Sequence, residues 1–203
     1  MKMNENLRKI VDYQLLYSPY MRDIGLFHGK MGVVIALYMY STKYHDELIS
    51  EYAWDLFQQI YDGIYSNMSI GLEDGLAGIG YGTTLLYKRG LVDCDLNSTL
   101  VDVDSKIMEH DPRRMKDLSI RSGVGGLIQY IGLRKSTGEP LDTFDAQYLS
   151  ELYAIAAPVI SVYQEEDIMS ILNTPTFSIE EYTEKPLCID GGSSYYILKD
   201  ILV

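Results

Sequence analysis

Six polar side chains sit beside a repeated glycine pattern and carry most of the chemistry visible in this sequence: His28, Glu73, Asp74, Arg121, Ser122 and Asp190. His28, Asp74, Ser122 and Asp190 each stand immediately before a glycine, in four segments of similar composition. Where such a glycine opens a helix, the free amides and the helix dipole favour negative charge, so these residues outline a candidate pocket rim for a peptide or a small anion. Glu73 and Arg121, one position earlier, extend that rim. A plainer assignment stays open, because Asp and Ser are preferred helix N-caps that accept bonds from the first helical amides. His28 with Asp74 and Asp190 also offers the donor types of a mixed oxygen–nitrogen metal site. A glycosidase would need two carboxyl groups roughly 5 to 10 Å apart, for which Asp190 with Glu73 or Asp74 is the formal pair. No catalytic set and no metal site is assigned from the residues alone.

The glycines put these side chains in order. GLFHGKMG from Gly25, GLEDGLAG from Gly71 and SIRSGVGG from Ser119 align without gaps, placing Gly29, Gly75 and Gly123 fifth and Gly32, Gly78 and Gly126 eighth. A weaker copy, LCIDGGSS from Leu187, places Gly191 fifth and has Ser194 in eighth place. The fifth-place glycines recur at intervals of 46, 48 and 68 residues, so the last interval holds an insertion. A period in the forties is that of a helical hairpin. The fifth glycine allows a tight turn into a helix and the eighth allows close helix approach.

Two kinds of helix follow from the text between the glycines. Met31–Tyr40 and Ala77–Leu86 are apolar on nearly all sides, as a helix buried on every face must be. Between the motifs, Leu48, Ile49, Tyr52, Ala53, Leu56 and Ile60 fall at three- and four-residue steps with Glu51, Asp55 and Gln59 opposite, the pattern of a half-wet helix. Leu96, Leu100, Val103 and Ile107 repeat that pattern before Pro112, as do Leu149, Leu152, Tyr153 and Ala156. The expectation is an all-α chain in two layers: one domain over residues 1–203, forming part of an α/α toroid whose Gly-rich turns open the inner helices. A helix is expected from Asp145 to Val162, an irregular stretch from Leu172 to Lys185, and a last inner helix with no outer partner. Of the 18 tyrosines, Tyr38, Tyr40, Tyr81, Tyr130, Tyr195 and Tyr196 lie on inner segments, mostly as core, with some available to line a groove.

The G-L-x-x-G-x-x-G-I pattern, clearest in GLEDGLAGIGYG and GLFHGKMG, resembles the hairpin signature of lanthionine synthetase C-like proteins. The resemblance implies a toroid of paired helices, of which this chain has room for about half. It also implies a zinc cofactor held by two cysteines and a histidine, and a thioether-forming reaction on a dehydrated peptide. The sequence departs from that ligand pattern. Two residues before the repeat glycine stand Phe27, Glu73, Arg121 and Ile189, none of them a thiol, and only His28 in Phe27-His28-Gly29 echoes the family's Cys-His-Gly. The expectation is therefore a zinc-less member without cyclase activity that binds a peptide or protein partner in peptide maturation. An α/α-toroid hydrolase of saccharides or peptides is the alternative.

Composition narrows the partners. The formal charge of −12 is spread without a Lys/Arg block, which speaks against nucleic acid. The longest uncharged apolar stretch, Met31 to Thr42, is short of the roughly 20 residues that span a bilayer. The N-terminal segment lacks an apolar signal core, and Cys94 and Cys188 show no disulfide or C-x-x-C spacing, so a reduced, cytoplasmic protein is expected. Association of two copies to complete the toroid is a third expectation, motivated by the unpartnered last helix.

Overall fold

The computed structural model describes residues 5–158 and 168–202, and among these the chain forms eight α-helices and no strand. They are α1 (Glu5–Tyr17), α2 (Lys30–Tyr44), α3 (Glu47–Asp62), α4 (Leu76–Lys88), α5 (Leu96–Met108), α6 (Val124–Lys135), α7 (Ala146–Ala156) and α8 (Ser194–Leu202). The helix expected from Asp145 to Val162 starts as expected, with Asp145 as its cap, while residues 159–162 lie outside the described residues. The stretch from Leu172 to Lys185 is irregular apart from one 3-10 turn at Ile179–Glu181. Among the described residues no helix is long and apolar enough to cross a membrane.

Backbone contacts gather the described residues into two compact units, 5–65 with 168–202 and 66–158. In the first, α2 is buried continuously from Lys30 to Ser41 and packs against α3 and α8. α3 turns Ile49, Ala53, Leu56, Phe57 and Ile60 inward, whereas Leu48, expected on the same face, is 77% exposed because it lies one step round the helix from Ile49. The repeat pattern gave no hint of α1, yet its buried Leu7, Ile10, Val11 and Gln14 follow helical spacing. α1 touches α8, and the fully buried Gln14 donates through Nε2 to Ser194 Oγ at 2.7 Å. The last helix is therefore not left without a partner, contrary to the sequence expectation: an element preceding the first repeat covers it.

In the second unit α4 packs against α5 and α6, and α6 against α7. α4 and α6 are buried along most of their length, while α5 buries one face through Leu96, Leu100, Val103 and Ile107. One polar group breaks that apolar face. Asp104, fully buried, accepts from Tyr130 Oη at 2.5 Å and from Arg134 Nη2 at 3.4 Å, and Arg134 Nη2 also reaches Asn97 Oδ1 at 2.8 Å. Arg134 is 1% exposed, and its Nε and Nη1 have no hydrogen-bond partner. Loss of hydration pushes the Asp104 carboxyl up to about 6, against the opposing pull of the Tyr130 bond and the Arg134 charge.

The helices begin in two ways. α3, α5 and α7 are each capped by an aspartate: Asp46 accepts from Ile49 N, Asp95 from Asn97 N and Ser98 N, and Asp145 from Gln147 N and Tyr148 N. α2, α4 and α6 are capped by Gly29, Gly75 and Gly123, with no side-chain bond. In these the amide after the glycine donates to a carbonyl seven residues back: Lys30 N to Asp23 O at 2.9 Å, Leu76 N to Ser69 O at 2.8 Å, and Val124 N to Asp117 O at 2.9 Å. A Cβ on Gly75 would lie 2.4 Å from Ser69 O, and one on Gly123 would lie 2.3 Å from Asp117 O. Asp74, Ser122 and Asp190 are thus not the N-caps of these helices, because backbone has already taken the place a capping side chain would fill.

The fourth copy repeats this geometry one residue later than the sequence register. Ser193 N donates to Pro186 O at 2.8 Å, again seven residues back, and a Cβ on Gly192 would lie 2.4 Å from Cys188 O. Gly191 has φ +67° with open space around its Cβ position. The structural equivalent of Gly29, Gly75 and Gly123 is therefore Gly192, and the eighth place falls on Tyr195 instead of Ser194. Gly191 meets a different demand, a left-handed turn.

Two sets of variants test these points. Gly75→Ala, Gly123→Ala and Gly192→Ala should each lose about 2–4 kcal/mol in chemical denaturation, since backbone would have to move. Gly191→Ala should lose only about 1 kcal/mol for its left-handed φ. Equal costs at positions 191 and 192 would refute the shifted register. For Asp104, the folded state holds its proton to about pH 6 while the unfolded chain releases it near 3.8. Its contribution is thus fully present below about pH 4 and declines as pH rises to 6, by about 3 kcal/mol. The stability difference between wild type and Asp104→Asn, measured from pH 4 to 7, should carry that slope, and a flat difference would exclude it.

Candidate functional site

The corrected register reassigns the pocket-rim residues. In the loop before the glycine, the second place is Leu26, Leu72, Ile120 and Ile189, apolar in every copy. The third place is Phe27, Glu73, Arg121 and Asp190, and the fourth is His28, Asp74, Ser122 and Gly191. Asp190 is consequently the counterpart of Glu73 and Arg121, and not of His28, Asp74 and Ser122. Backbone bonds express that equivalence within each unit: Asp190 N donates to Phe27 O at 3.1 Å, and Glu73 N donates to Arg121 O at 2.8 Å. The eighth-place glycines complete the pairing. A Cβ on Gly32 would lie 2.9 Å from Ile189 Cγ1, and one on Gly126 would lie 2.7 Å from Leu72 Cβ.

In the first unit this pairing brings His28 to Asp190. His28 Nε2 lies 3.2 Å from Asp190 Oδ2, with the imidazole side chain 40% exposed and the carboxylate 3% exposed. Asp190 is held in turn by Asn173, whose backbone N donates to Oδ1 at 2.5 Å and whose Nδ2 donates to Oδ2 at 3.0 Å. Gly191 N closes the loop by donating to Asn173 O at 2.9 Å. The arrangement is a half-open imidazole oriented by a buried, saturated carboxylate, a geometry that fixes a ring for hydrogen bonding or proton transfer. Asn173 is the residue that sequence reasoning missed. Its Asn173-Thr-Pro175 context signalled only a loop.

Asp190 itself is a buried acceptor. Its two oxygens accept three bonds and scarcely meet solvent. Cys188 is also committed, 5% exposed and donating through Sγ to Asp190 O at 3.2 Å.

In the second unit Glu73 and Arg121 form an ion pair, with Arg121 Nη1 2.5 Å from Glu73 Oε1 and both side chains about a quarter exposed. Ser122 Oγ donates to Asp117 Oδ2 at 2.7 Å, and Ser119 donates to the same carboxylate through N at 2.8 Å and Oγ at 3.0 Å. Those bonds, the Ser122 one foremost, hold the Asp117 carboxyl below its usual range. Ser122 thus braces the loop ahead of α6. Asp74 is exposed at the loop surface. Of the tyrosines expected on inner segments, Tyr38, Tyr40 and Tyr130 are buried, while Tyr81, Tyr195 and Tyr196 are half-buried.

No protein-family model, curated protein or solved structure matches this chain.

The His28–Asp190–Asn173 arrangement makes an asymmetric prediction. Asp190→Ala leaves the Asn173 amide and side chain without an acceptor and should cost about 3 kcal/mol, whereas His28→Ala, at a half-exposed ring, should cost about 1 kcal/mol or less. Urea denaturation of the two variants measures this, and equal costs would mean that Asp190 does not anchor the loop.

Proposed function

We propose that this chain is a lanthionine synthetase C-like protein, a partial α/α toroid, that works without zinc and without closing thioether rings and binds a peptide or protein partner in peptide maturation. One observation carries the reading: the same glycine loop is built at four places, and the place where the resembled family uses thiols holds a charged residue type in three copies and a phenylalanine in the other. In the shifted register the place two before the glycine is Phe27, Glu73, Arg121 and Asp190. The alternation of buried glycine-capped helices with half-buried aspartate-capped helices supports the two-layered architecture. The net charge of −12 favours a cationic partner. His28, held by Asp190 and 40% exposed, is the side chain best placed in the first unit to meet a bound peptide backbone.

Fluorescence anisotropy with labelled, unstructured Ser-, Thr- and Cys-rich peptides tests this. A cationic peptide should bind with Kd on the order of 10 μM, more weakly at high salt, and His28→Ala should weaken it about tenfold. No binding at about ten times that concentration would overturn the recognition role. One equivalent of dialysis-resistant zinc, or thioether formation on a dehydrated peptide, would replace the proposal with a synthetase.

A second reading, a toroid hydrolase, is favoured by the His28–Asp190 contact. It places His28 as general base and Asp190 as the residue that positions it, in place of a carboxylate pair.

A further inference from the structure

The second unit contains a cavity of about 450 Å³ along α4 and α6, well within the size range of small-molecule sites. Its walls divide by chemistry. Ile128 and Leu133 supply an apolar side, while Tyr81, Lys88, Gln129 and Ser136 bring polar groups. Among the described residues no Asp or Glu lines it, in a chain that has 29 of them.

Two of the polar groups, Lys88 and Gln129, are donors with capacity to spare. Gln129 Nε2 is buried and has no hydrogen-bond partner. The exposed Lys88 donates through Nζ to Ser136 Oγ at 2.7 Å, and among the described residues it forms no ion pair. The Ser136 hydroxyl proton goes to Leu133 O at 2.7 Å, which leaves its oxygen as the acceptor for Lys88. An orphaned amide donor costs free energy that a matching acceptor would recover. A single ammonium suits a monoanion, and the apolar wall suits a short aliphatic group.

We propose that this cavity binds the carboxylate of a small aliphatic acid, either a free molecule or the C-terminus of a peptide, through Lys88 Nζ and Gln129 Nε2, with the aliphatic part against Ile128 and Leu133. The proposal does not depend on the peptide-binding role assigned to His28. Gly132 lines the cavity and faces open space, since a Cβ there would meet nothing within 4 Å, so a large side chain at this position would project into the site.

Titration calorimetry on the full chain tests the site with three probes: 4-methylpentanoate, acetyl-Ala-Leu with a free carboxylate, and the same dipeptide amidated. At least one carboxylate should bind with Kd of about 1 mM or tighter, and the amide should bind at least tenfold more weakly. Binding of 4-methylpentanoate alone identifies a free acid as the source, and binding of the dipeptide identifies a peptide terminus. Lys88→Met should lose at least tenfold for the carboxylate probe, and Gly132→Leu should abolish binding while leaving the melting temperature unchanged or higher. Failure of both carboxylates to bind, equal binding of the amide, or unaltered binding to Gly132→Leu would each overturn the proposal.

Discussion

The fold rests on a hydrogen bond between a helix's first turn and a carbonyl seven residues earlier. It appears at Lys30, Leu76, Val124 and Ser193, in both units, with N–O distances between 2.8 and 2.9 Å. The bond folds the preceding loop back over the helix start and satisfies an amide that would otherwise need a cap or water. It also removes the space for a side chain at the turn, which is why glycine stands there. The apolar second residue of the loop is carried inward by the same folding, the third is set against its counterpart in another loop, and the fourth stays at least partly exposed. Loop pairing in each unit, through Asp190 N to Phe27 O and Glu73 N to Arg121 O, is made at the third place.

Much of this was legible in the sequence. Three gap-free glycine copies and the contrast between all-apolar and one-faced segments located α2 to α7, because burial demands those two patterns. The fourth copy was misread because Gly191 and Gly192 are adjacent and either satisfies a glycine count. Aligning the apolar second residue, Ile189 with Leu26, Leu72 and Ile120, selects Gly192. Helix α1 was missed for a related reason. It lies outside the repeat, although Leu7, Ile10, Val11 and Gln14 mark a face.

The site residues were found individually and grouped imperfectly. A rim of equivalent polar positions was inferred from one register, and moving Asp190 by one place turns it from a display residue into a buried acceptor. The polar types Asp and Ser suggested caps for the glycine-led helices, whereas the aspartate caps belong to α3, α5 and α7. Residue type alone does not tell a capping aspartate from one that receives Asn173, since both roles ask for a carboxylate near free amides.

The first unit is assembled from two stretches of chain separated by the whole of the second. A ribosome delivers them in order, so α4 to α7 can pack as soon as they emerge. By contrast α2, buried against α8, is left with an uncovered apolar flank until residues 168–202 have been made. Contacts this distant in sequence are slow to close. The nascent chain therefore passes through a state in which the helix with its longest buried run waits for its partner, and that interval is when misassociation and chaperone capture would act on this protein.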